Sequence, residues 1–134
     1  LKEQKFEERI YRNIKPELDN ELWKMCQEKP KLYISNLGRV KIGNIVWKQK
    51  DATNKIGYLI LEDFNKIPND YKEYIKQFNY VYQLVARIWL GRHIEDGCVW
   101  DVHHISGAGY DNRPENLIWM KRCIHKRINH KNNS

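Results

Sequence analysis

Two adjacent histidines close the run Trp100-Asp101-Val102-His103-His104, an asparagine follows twelve positions later at Asn116, and a further histidine stands nine beyond it at His125. If these side chains converge, they are the types that water-driven phosphodiester cleavage needs. That reaction requires a base to take the proton of the attacking water and a cation to stabilise charge on the phosphate and the departing 3′ oxygen. Imidazole suits both duties, because its unperturbed pKa lies near neutrality and its neutral form binds divalent metals. Neighbours on a strand point to opposite faces. The two rings therefore cannot share one job, and we assign His103 to the metal and His104 to the water. A histidine base works best when an acceptor holds its other nitrogen and so fixes ring and tautomer. The amide or the backbone carbonyl of Asn116 is the candidate.

These side chains need elements to position them. The apolar members of Cys98 to His104 predict a strand that anchors the histidines, and Leu117 to Met120 a second strand. Between them Gly107, Gly109 and Asn112 mark a loop where backbone can approach a phosphate closely. A closing helix is expected from about Lys121 to Lys131, with Ile124 and Ile128 toward the core and Arg122, His125 and Asn129 on another face. It carries five basic residues and no acidic one. Arg122 and Lys126, with Arg113 from the loop, are candidate phosphate contacts, although cations near a helix C-terminus also gain from its dipole.

Upstream, the periodicity changes. Phe6, Ile10 and Ile14 step by four and predict an amphipathic helix ended by Pro16. A second short helix is expected to carry Leu18, Leu22 and Met25 or Cys26. From Tyr33 to Ile42 the pattern ends in alternation, with Val40 and Ile42 toward a core and Arg39 and Lys41 outward. Gly43-Asn44 reads as a turn, Ile45 to Lys48 as the returning strand, and Gly57 to Leu61 as a third. Such a sheet would present Arg39, Lys41, Lys48, Lys50 and Lys55 on or near one side, fit for a DNA groove. Lysines of this kind also keep a sheet edge soluble. Asn65 to Asn79 predicts a loop and a short helix. Val81, Leu84, Val85, Ile88 and Trp89 line one face of a helix that Gly91 can cap and that should back the sheet.

Composition agrees with a single ordinary domain: 134 residues, 41% hydrophobic. No apolar run approaches the roughly twenty residues of a membrane span, and no signal-peptide pattern opens the chain. Cys26, Cys98 and Cys123 are odd in number and widely spaced, which argues against a disulfide framework or a cysteine zinc site and fits a reducing cytoplasm. The net charge of +7 is uneven: residues 31–60 carry six basic side chains against one acidic, and 101–134 six against three. Phosphate neutralisation by such a footprint supplies most sequence-independent DNA affinity, though solubility alone also tolerates this charge.

The run Asp101-Val102-His103-His104-Ile105-Ser106-Gly107, the loop Asn112-Arg113-Pro114-Glu115-Asn116-Leu117 and His125 resemble the HNH, or ββα-metal, endonuclease motif. The resemblance implies that His103 and His125 are metal ligands, that His104 is the general base and that Asn116 orients it. It implies one divalent ion, Mg or Mn in use, with Zn able to occupy the site, and 5′-phosphate and 3′-hydroxyl products. Ser106 stands where the family often has Asp, and no Cys-x-x-Cys pair flanks His125. Some relatives place another ligand four residues after the closing histidine, where this chain has Asn129, with His130 next to it.

Tyr33-Ile34-Ser35-Asn36-Leu37-Gly38-Arg39-Val40, then Gly57-Tyr58, then Val81 to Ala86 with Leu90-Gly91, is similar to the nuclease-associated modular domain of phage and intron-borne homing endonucleases. That domain often has His-Arg where Tyr82-Gln83 stands. The expected fold is α+β, a small antiparallel sheet with packing helices followed by a C-terminal ββα-metal motif. Its segments are 1–30 helical, 31–92 DNA-contacting and 93–134 nuclease. Together the resemblances imply a metal-dependent DNA endonuclease, homing-like, in the cytoplasm of a bacterial host and encoded by a phage or mobile element, with DNA as partner and no membrane. The alternatives are a DNA-binding module with a decayed nuclease site and a nonspecific defence or toxin nuclease. Monomer and homodimer are not distinguished.

Overall fold

Alternating burial after residue 31 builds the front of the molecule. In the computed structural model, which describes residues 15–124, β1 (Trp23–Met25), β2 (Leu32–Ser35), β3 (Val40–Ile42) and β4 (Ile45–Trp47) form an antiparallel sheet in that order. Leu32, Ile34, Val40 and Ile42 are buried at alternate positions. Tyr33 and Lys41 face each other in register between them. Gly43, at φ 59°, makes the turn into β4.

β1 replaces the short helix expected over Leu18, Leu22 and Met25. The Asn36 side chain accepts from the Leu22 amide at 2.7 Å and donates to the Asn20 carbonyl at 3.1 Å. Cys26 N then donates to Leu32 O at 2.8 Å. A waiting strand edge and one asparagine thus outweigh a weak helical period. β1, from the segment before residue 30, is hydrogen-bonded into the front sheet. The helix expected over Phe6, Ile10 and Ile14 lies outside the described residues.

The third strand expected at Gly57 to Leu61 is longer and pairs elsewhere: β5 (Gln49–Ala52) and β6 (Lys55–Leu61) form a two-stranded ribbon of their own. Its register shifts at Asp51/Ala52, a local irregularity of the kind that re-aims side chains. A short α1 (Asn69–Ile75) follows, then α2 (Val81–Trp89), and Gly91 at φ 79° lies just beyond it as expected. The rear hairpin is β7 (Trp100–His104) and β8 (Leu117–Lys121), antiparallel.

α2 is the centre of the packing. Its buried face of Val81, Leu84, Val85 and Ala86 belongs to one apolar cluster with Leu32, Ile34 and Val40 of the front sheet, Leu59 and Leu61 of β6, and Val102 and Leu117 of the rear hairpin. Each large apolar side chain buried there contributes roughly 1.5–3 kcal/mol. Two indoles fasten the C-terminal end of the helix: Trp89 Nε1 donates to Ile34 O of the front sheet, and Trp119 Nε1 of the rear hairpin donates to Gly91 O, each at 3.0 Å. The chain is thus a mixed α+β fold with small antiparallel sheets and few helices. Among the described residues, no helix is long and apolar enough to cross a membrane. Helical backbone starts again at Arg122, and Ile124, expected to face the core, is exposed.

Candidate active site

β7 separates the two histidines as strand geometry requires. Val102 and His104 are buried, while His103, between them, is half-buried and alternates to the other face with Asp101. Across the ladder His103 stands opposite Ile118 and His104 opposite Leu117.

His104 is only 5% exposed. Its Nε2 lies 2.9 Å from Asn112 Oδ1. An amide oxygen only accepts, so this nitrogen carries the proton, and Nδ1 keeps the basic lone pair. The ring packs against Tyr82 at 4.5 Å and, almost perpendicular, against Tyr58 at 5.5 Å between centroids. Burial pushes its pKa below the ordinary histidine value, with the Asn112 bond partly opposing. The ring is therefore neutral near pH 7, the form a base needs.

Asn116, expected to orient His104, does something else. Its Oδ1 accepts from Ser106 N at 3.0 Å, its Nδ2 donates to Asp111 O at 2.9 Å, and its carbonyl accepts from Ile105 N at 2.8 Å. It pins the loop that follows β7, and Asn112 supplies the acceptor. Both asparagines sit in Asn112-Arg113-Pro114-Glu115-Asn116, where loop residues have no period to show which one turns inward. Asn112 is 1% exposed, and its Nδ2 has no hydrogen-bond partner among the described residues. The same loop lies flat on Tyr58: a Cβ on Gly109 would stand 2.8 Å from that ring. The packing of Tyr58 and Tyr82 on His104 carried no sequence signal beyond their places in the upstream similarity.

On the opposite face His103 offers one imidazole. Asp101, two positions away on that face, is engaged by Arg122 at 3.1 and 3.2 Å. Among the described residues, no three His, Cys, Asp or Glu side chains are grouped to hold a metal ion. His103 is chemically fit to be one ligand, and a centre there needs further donors. His125, Lys126, Asn129 and His130 lie outside the described residues.

The basic candidates divide. Arg39, expected to face outward toward DNA, is 3% exposed. Its Nε donates to Glu21 Oε2 at 2.7 Å, and its other nitrogens reach Glu21 Oε1 and the carbonyls of Lys15 and Pro16. It clamps the leading segment to the sheet and has no face for phosphate. Lys41 is half-exposed, 4.2 Å from the Trp23 centroid and 5.2 Å from Tyr33. Arg113 bonds Asp111 twice at 2.8 Å, and Arg122 is held by Asp101. A phosphate would have to compete with those carboxylates. Lys48, Lys50 and Lys55 are exposed, with Lys55 4.1 Å from the Tyr58 centroid beside His104.

Compared with protein families, curated proteins and solved structures, the chain matches none of them.

Proposed function

We propose that the chain is a DNA endonuclease of the HNH kind, in which His104 takes the proton of the water that attacks phosphorus. The observation that carries the reading is the bond from His104 Nε2 to Asn112 Oδ1 at 2.9 Å. It holds a neutral imidazole in one tautomer with its other nitrogen basic, the requirement for a general base at neutral pH. Asn116 serves by holding the loop that carries Asn112. His103, with His125, would hold one divalent ion, Mg or Mn, with Zn also suited to imidazole donors. Such an ion supplies positive charge beside the scissile phosphate and the leaving 3′ oxygen. Lys48, Lys50 and Lys55 supply exposed positive charge for DNA, and a homing-like role follows from the similarity of the front segment.

A second reading, a DNA-binding module whose nuclease site has decayed, is favoured by one observation. His104 is only 5% exposed, with Tyr58 and Tyr82 packed on its ring, which leaves little of it open to an attacking water. A supercoiled-plasmid assay with Mg or Mn, with chelator and with His104→Ala separates the two. Cleavage lost in both the chelated and the substituted samples supports the endonuclease. DNA binding with no cleavage under any metal selects the module, and equal cleavage in all samples ends the assignment of His104. Sequencing the cut ends tests for the 5′-phosphate and distinguishes a homing enzyme from a nonspecific nuclease.

A further inference from the structure

Asn112 lies against a turn of the front sheet. Gly38, in the turn between β2 and β3, has φ 84°. A Cβ built on it would stand 2.9 Å from Asn112 Cβ, closer than real Cβ atoms pack, and a tight 3.3 Å from the Asn112 carbonyl oxygen. The turn cannot easily retreat. Gly38 N donates to Ser35 O at 3.1 Å, and its carbonyl accepts from Gln49 Nε2 at 2.9 Å. A continuous contact therefore runs from Gly38 through the buried Asn112 to His104 Nε2.

We propose that Gly38 is a positioning residue for His104: because it lacks a side chain, the front-sheet turn closes on Asn112 and keeps its carboxamide oxygen on the imidazole. Glycine is the residue that permits such an approach of backbone to a neighbour. An acceptor behind a histidine fixes its ring and tautomer. The front sheet is thus part of the rear site, and not merely a DNA-contacting appendage. The kinetic part of this inference rests on His104 being the base; the structural part does not.

The test uses the full chain, labelled with 15N, and long-range spectra of the imidazole nitrogens at about pH 8, where histidine is neutral. In the wild type His104 shows the Nε2-protonated tautomer with a slowly exchanging ring proton. Gly38→Ala loses that proton signal, and its kcat on plasmid falls roughly ten- to hundred-fold with little change in KM, the usual cost of removing an orienting partner. Gly43→Ala is the control: Gly43 also has positive φ, 59°, but nothing lies within 4 Å of its Cβ. It carries the backbone strain without the push on Asn112 and keeps the His104 signal. Asn112→Ala reproduces the loss, and still exposes the Asn112–His104 step to refutation should Gly38→Ala fail to fold. Retention of the wild-type ring proton in folded Gly38→Ala or in Asn112→Ala overturns the inference, as does equal loss in Gly43→Ala. If even the wild type does not cleave DNA, the ring spectra still decide this inference, and the nuclease reading falls alone.

Discussion

Burial changes what a charged or titratable residue can do, and Arg39 and Glu21 are the clearest case. Their side chains are 3% and 1% exposed. Removing one partner leaves the other charge buried and unpaired, a cost of roughly 3–5 kcal/mol. Glu21→Ala and Arg39→Ala should each lower the denaturant midpoint strongly, and a loss below about 1 kcal/mol would show the pair to be solvated. Burial raises the Glu21 pKa, but the Arg39 and Ser35 hydrogen bonds and the Arg39 charge outweigh it, so the net shift is downward. His104 is also shifted downward, chiefly by burial. In both cases the unfolded chain takes up the proton at a higher pH than the folded one. Each therefore contributes stability that is complete above its unfolded pKa and lost as pH falls toward the folded value. The predicted profile has a first decline below about pH 6.5 from His104 and a second below about pH 4.5 from Glu21. Denaturant midpoints across acid pH check this, with His104→Gln flattening the first step and Glu21→Gln the second.

At the level of elements, α2 joins what the sequence suggested were separate segments. Leu84, 1% exposed, lies in the cluster that the front sheet, the β5–β6 ribbon and the rear hairpin share. Leu84→Ala should cost roughly 2–5 kcal/mol through lost burial and a residual cavity. Because Trp89 and Trp119 tie the C-terminal end of α2 to the front sheet and to the rear hairpin, unfolding followed by tryptophan fluorescence and by far-ultraviolet circular dichroism should give one coincident transition. Two separated transitions would mean that the front and the rear fold independently. The strong stripe of α2 and the hairpin strands were legible because their apolar spacing is local. β1 was not, since its three residues become a strand only through the edge that β2 offers and the Asn36 side chain beside it. The β5–β6 ribbon was half legible, because strand periodicity shows which residues alternate and not which neighbour they pair with.

Among the described residues, several of the cations that make the chain basic are already committed. Arg39 answers Glu21, Arg113 answers Asp111 and Arg122 answers Asp101. Lys48 and Lys50 remain exposed on the β5 side. If each neutralises one DNA phosphate, removing both should reduce the slope of log K against log salt by about 2, since each contact contributes about 0.9. Fluorescence anisotropy on a duplex over a salt series measures it, and an unchanged slope would place the DNA surface elsewhere. Arg39→Ala, in contrast, should alter stability and leave that slope unchanged.

Residue types and short-range spacing were enough to mark the two histidines, to put them on opposite faces of one strand and to forecast the helix and hairpin around them, because alternation and helical period are properties of neighbouring residues. They could not say which asparagine reaches His104, that Arg39 turns inward, or that a glycine in the front turn bears on the candidate base. Those outcomes depend on contacts between stretches far apart in the chain, and such contacts form only when the apolar cluster around α2 brings the stretches together.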